Sequence, residues 1–98
     1  MALFVIRHQH PAERCPATDP QMGQMLLNHL SAGTAAQHGV TLHGEAVIDG
    51  QHTLYVIAES ENRGQVEDYM KPFGMAGTVE VMPASSCAAV VERRGCSG

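Results

Sequence analysis

The 98-residue chain has no Trp, only two Tyr and two Phe, and only six Lys or Arg against ten Asp or Glu. Few aromatics and a net charge of −4 argue against a nucleic-acid partner, which needs a basic face or a stacking platform. No apolar run approaches the ~18 residues of a membrane span, so no membrane partner is expected. Ala2–Ile6 is too short for a signal peptide and has no basic segment before it. Three cysteines, Cys15, Cys87 and Cys96, form no C-x-x-C pair and cannot all pair with one another. They read as reduced thiols, and the expected location is the cytoplasm. No P-loop or G-x-G-x-x-G occurs, so nucleotide cofactors are not indicated.

What remains is a globular composition, 44% hydrophobic and 16% charged, with six histidines. Residues 1–92 read as one domain and 93–98 as a flexible tail. Residues 2–9 form an apolar, β-branched strand that breaks at Pro11 and Pro16. Thr18-Asp19-Pro20-Gln21 starts a helix whose stripe is Met22, Met25, Leu26, His29 and Leu30. This spacing predicts Met22 and Met25 in the core and His29 as a hydrogen-bonded core histidine. Thr34–Gln37 adds a short helical turn closed by Gly39.

Two strands follow, Val40–Ile48 and Gln51–Ala58, joined by Asp49-Gly50. A two-residue turn there sets Ile48 against Gln51, Glu45 against Leu54 and His43 against Val56. Thr41, His43, Glu45 and His52 then share a polar face, while Val40, Leu42, Ala46, Ile48, Tyr55 and Ile57 meet the helices. Ser60 is the expected cap of a helix with the stripe Val66, Tyr69, Met70 and Phe73. Gly74 and Gly77 frame a turn into the strand Thr78–Met82, and a short helix carries Cys87, Val90 and Val91.

The order β-α-β-β-α-β is ferredoxin-like: an α+β fold with a four-stranded antiparallel sheet, order 4-1-3-2, and two helices on one face. The central strands are apolar on both faces, so a second copy is expected on the open face, giving a sheet-to-sheet homodimer.

The chain resembles the dimeric α/β-barrel proteins, most of all their small uncharacterised members, among which is a nickel-binding branch. The resemblance spans about residues 2–83. It rests on Phe4-Val5-Ile6-Arg7-His8, Gly39-Val40, Tyr55-Val56-Ile57-Ala58-Glu59 and Val79-Glu80-Val81-Met82-Pro83. It implies a dimeric barrel. The superfamily contains haem enzymes, cofactor-free oxygenases, isomerases and metal binders, so the activity must come from the site. The segment His8–Cys15 departs from the better-described enzymes.

The chemistry-bearing set is His8, His10, Cys15, His43, Glu45 and His52. His8-Gln9-His10 puts two imidazoles on one face, ~6–7 Å apart. If they turn to the polar face they join His43 and Glu45, and Cys15 closes the set from a loop. Neutral imidazole and carboxylate suit a divalent transition metal such as nickel, zinc, copper or iron. His52, beside the hairpin turn, is expected in solvent. The expected function is metal binding by His8, His10, Cys15, His43 and Glu45. The alternative is a small dimeric-barrel oxygenase or isomerase. It would take a small organic ligand between sheet and helices, with His29, His43 and Tyr55 as acid–base groups.

Overall fold

The computed structural model describes residues 1–97. Four strands, β1 (Ala2–Gln9), β2 (Val40–Ile48), β3 (Thr53–Ser60) and β4 (Thr78–Ala84), form one antiparallel sheet in the order β2-β3-β1-β4. The helices are α1 (Pro20–His29), α2 (Ala32–Gln37), α3 (Arg63–Gly74) and α4 (Cys87–Arg93). Asp19, Ser31, Asn62 and Ser86 cap them, each side chain accepting a backbone N–H of the first turn. The cap of α3 is therefore Asn62, not Ser60. Ser60 is instead buried at the end of β3 and donates to Gln65 Oε1 at 2.6 Å.

Alternation along β1 puts Phe4, Ile6 and His8 on the helix-covered face and Leu3, Val5 and Arg7 on the open one. The covered face continues through Leu54, Val56 and Ala58 on β3 and Val81 on β4. Helix α3 lays Val66, Tyr69, Met70 and Phe73 on it, all buried, as their spacing implies.

Two expectations fail here. Helix α1 buries none of its residues: Leu26, His29 and Leu30 are half-buried, while Met22 and Met25 are 46% and 61% exposed. It rests on α2 and on the turn before it rather than lying down on the sheet. The hairpin also differs. Residues 49–52 make a four-residue loop, with Gly50 at φ 76° and His52 at φ 51°. Ile48 therefore pairs with Thr53, and Glu45 with Val56. A bulge between Leu42 and Gly44 adds one residue, His43, to β2. Leu54, Val56 and Ala58 take the covered face of β3, so Tyr55 and Ile57 lie on the open face beside Arg7 and Val5, and not against the helices.

After β4, the Arg93 guanidinium donates to the carbonyls of Gly95 and Cys96 and to Ser85 Oγ. This holds residues 94–96 against the end of α4. Gly98, the end of the expected tail, lies outside the described residues. Among the described residues no helix is long and apolar enough to cross a membrane.

Candidate metal centre

The end of β1 lies against the start of β3. Gln9 pairs with Thr53, and the His10 N–H donates to the His52 carbonyl at 3.2 Å. Three imidazoles line up at this edge: His8 and His10 have ring centroids 5.2 Å apart, and His10 and His52 5.1 Å apart. The expected adjacency of His8 and His10 is present, but their face is the helix-covered one.

His8 is only 2% exposed. Its Nε2–H donates to the Phe73 carbonyl at 3.0 Å, and its ring meets the Phe73 ring edge-on. Phe73 lies in the last turn of α3, where its carbonyl accepts the Ala76 N–H, and His8 adds a second donor from the sheet. Burial, and then the neighbouring His10, hold the His8 pKa below its ordinary value. The ring is neutral near pH 7, which makes it the Nε2–H tautomer.

His10 is the unusual residue. Both of its ring nitrogens are buried and neither has a hydrogen-bond partner. Buried polar groups without partners are rare and costly. Burial, followed by the charge of His52, lowers its pKa as well, so His10 keeps a free lone pair near neutral pH. A ring whose nitrogens are dry, neutral and unpartnered is suited to a metal.

Cys15 reaches His10 because the chain doubles back. After Pro11, two single 3-10 turns, Ala12–Arg14 and Pro16–Thr18, flank Cys15, and Thr18 Oγ1 ties down its carbonyl at 2.8 Å. The thiol is free and half-buried. His52 is brought in by its left-handed backbone, which costs of the order of 1–3 kcal/mol for a residue with a side chain. One donor atom each from His10, Cys15 and His52 lies within 4.8 Å of the other two. Two imidazoles and a thiol at this separation could hold a metal ion as a three-donor set.

The remaining expected ligands are elsewhere. His43 stands on the bulge, and its Nε2 is 2.8 Å from Glu59 Oε1 in an exposed pair. Glu45 is exposed on β2 beside Val56. Neither belongs to the His10–Cys15–His52 group. Arg7 pairs with Glu80 on the open face at 3.3 Å. The three acid–base candidates are also dispersed. Tyr55 faces the open side, His43 pairs with Glu59, and His29 joins α1 to α3. There His29 Nε2–H donates to the Tyr69 carbonyl at 2.6 Å, Tyr69 Oη–H returns a bond to the His29 carbonyl at 2.5 Å, and the rings stack. Burial raises the Tyr69 pKa to about 12, so its hydroxyl stays a donor. His52, which the sequence assigns to solvent, is half-buried and part of the group. Its place opposite His10 is visible only once the four-residue loop is known.

The chain belongs to a protein family described as "Domain of unknown function (DUF3303)", whose model matches residues 3–94. No curated protein matches the chain.

Proposed function

We propose that this protein is a metal-binding homodimer. It holds a divalent transition metal at His10, Cys15 and His52, and His8 acts as the buried wall behind His10. The observation that carries the reading is the His10 ring, buried with both nitrogens unpartnered and within reach of a second imidazole and a thiol. Two neutral imidazoles and a thiolate suit zinc or copper better than the harder carboxylate-containing set expected from sequence. A ligating thiol must stay reduced, which fits a cytoplasmic setting for a chain with free cysteines.

The test is loading of untagged protein with zinc or cobalt, removal of excess metal and elemental analysis. One ion per chain is expected. His10→Ala, Cys15→Ser and His52→Ala each lose it, and His43→Ala keeps it. Cobalt-loaded protein should show a thiolate charge-transfer band that Cys15→Ser abolishes. Wild-type protein that retains no metal after loading removes the proposal, as does loss of metal in His43→Ala alone.

The second copy belongs on the open sheet face, in a ferredoxin-like dimeric-barrel arrangement. Leu3, Val5, Tyr55, Ile57 and Met82 make that face apolar, and Ile57 is 44% exposed. Its charged groups already have partners within one copy, Arg7 with Glu80 and Glu59 with His43, so few are left to oppose a second copy. Sedimentation should give a dimer for wild type and a monomer for Ile57→Asp. A wild-type monomer at micromolar concentration rejects this arrangement.

A further inference from the structure

A second site lies beside the three-histidine row, on the α1 side. A cavity of about 200 Å³ opens between α1 and the C-terminal end of α3. Met22, Met25, Leu26 and Phe73 line it, and the imidazoles of His8 and His29 supply its main polar surface. We propose that this cavity binds a small, uncharged ring compound carrying one hydrogen-bond donor, of the phenol class.

Three features support that ligand class. The first is size. A dry cavity of roughly 150 Å³ accepts benzene, so about 200 Å³ accommodates one substituted six-membered ring and little more. The second is charge. No Lys, Arg, Asp or Glu lines the cavity. A carboxylate or ammonium entering it would lose hydration without gaining a counter-ion. The third is hydrogen-bonding polarity. His8 and His29 each commit Nε2–H to an α3 carbonyl, at Phe73 and Tyr69. With Nε2 of His8 bonded to the Phe73 carbonyl, the other ring nitrogen, Nδ1, is left to accept from a donor on the ligand.

The cavity also accounts for the exposure of Met22 and Met25. They sit on the helical stripe that the sequence assigns to the core, yet α1 stands off the sheet and leaves them bordering open space. Unbranched thioethers re-pack readily around a flat ring and make favourable contacts at its edge.

This proposal does not depend on the metal, and its test uses chelator-treated full-length protein at pH 8. Methyl-13C methionine labelling gives six reporters: Met1, Met22, Met25, Met70, Met75 and Met82. Titration with phenol should shift the Met22 and Met25 methyls saturably through the ring current. Met75 and Met82 should stay put. Methoxybenzene, which lacks the O–H, should bind about fivefold more weakly, as expected for one lost hydrogen bond. Benzoate should bind at least tenfold more weakly. Ala76→Leu, which fills the cavity at its rim, should abolish the Met22 and Met25 shifts while leaving the buried Met70 methyl in place. No saturable shift, equal shifts at all six methyls, or benzoate binding as tightly as phenol each overturns the proposal. Methoxybenzene binding as tightly as phenol overturns the assigned donor.

Discussion

Gly77→Ala tests the link between the β4 entry turn and the proposed metal centre. A Cβ built on Gly77 would lie 2.0 Å from the Gln9 carbonyl oxygen and 2.8 Å from both the Gln9 carbonyl carbon and the His10 Cα. All three are backbone atoms, so no side-chain rotation relieves the clash. The end of β1 must recede by about 1.4 Å to restore ordinary contact. Forcing extra volume into a packed position costs about 1–3 kcal/mol. For a domain this size, 2 kcal/mol lowers Tm by roughly 8–16 °C. The shift falls on His10 itself. Metal–ligand bonds are about 2.0–2.3 Å long, so two donors on one ion sit roughly 3.5 Å apart in tetrahedral geometry. The His10, Cys15 and His52 donors, within 4.8 Å of one another, need to draw together by at most about an ångström to close on an ion. A backbone displacement at least as large should weaken zinc binding at least tenfold. Gly74→Ala is the control, because a Cβ there meets nothing within 4 Å. Gly74 is the last residue of α3, and Ala should leave stability unchanged or raise it slightly. The assays are urea unfolding with chelator and competitive zinc titration without it. Equal stability and zinc affinity for the two alanine variants would refute the close-approach argument.

Three further outcomes follow from the same geometry. His10→Leu removes two unpartnered buried nitrogens, so the metal-free protein should gain about 1–2 kcal/mol in urea unfolding while losing all metal binding. Lower stability of that variant would show that the His10 nitrogens are satisfied. In metal-free protein, His8 and His10 have folded pKa values below the unfolded 6.5, so the unfolded chain takes up protons first as pH falls. Stability from this source is complete above pH 6.5 and declines below it. The urea midpoint should fall between pH 7.5 and 5.5, and by less in His10→Leu; an equal fall would place the titration elsewhere. Tyr69→Phe leaves the His29 carbonyl without its hydroxyl donor and should cost about 1–2 kcal/mol, read by the same unfolding assay.

Local rules carried much of the architecture. β1 and β2 run over the residues their apolar patterns mark, and all four residues of the α3 stripe are buried. The α1 stripe has the same spacing and a different fate. Periodicity says which side of a helix faces inward, and it says nothing about how closely the helix approaches. The approach of α1 is set by the His29–Tyr69 bonds, which link residues 40 apart and hold α1 at the end of α3.

The site was half legible for a related reason. His8 follows Phe4 and Ile6 at strict two-residue spacing, so it belongs on whichever face they occupy. The run Ala2–Ile6 is apolar at every position and hides that phase. Only the packing of α3 decides it, and it puts His8 under the Phe73 carbonyl. Glu45 was misplaced by a single inserted residue, because the bulge at His43 shifts every later side chain on β2 by one step, whereas His43 keeps the open face and His8 takes the other. His52 was misplaced by the loop before it: Asp49-Gly50 invites a two-residue turn, and the chain uses four, ending on a left-handed histidine. The three residues that converge, His10, Cys15 and His52, all lie just outside regular strands and helices. No periodic pattern covers such positions, whereas the prolines at 11 and 16 do mark where the chain turns back. A strained His52 backbone and a dry, unpartnered His10 both lower stability in the metal-free chain. A bound ion at the proposed centre would offset both costs.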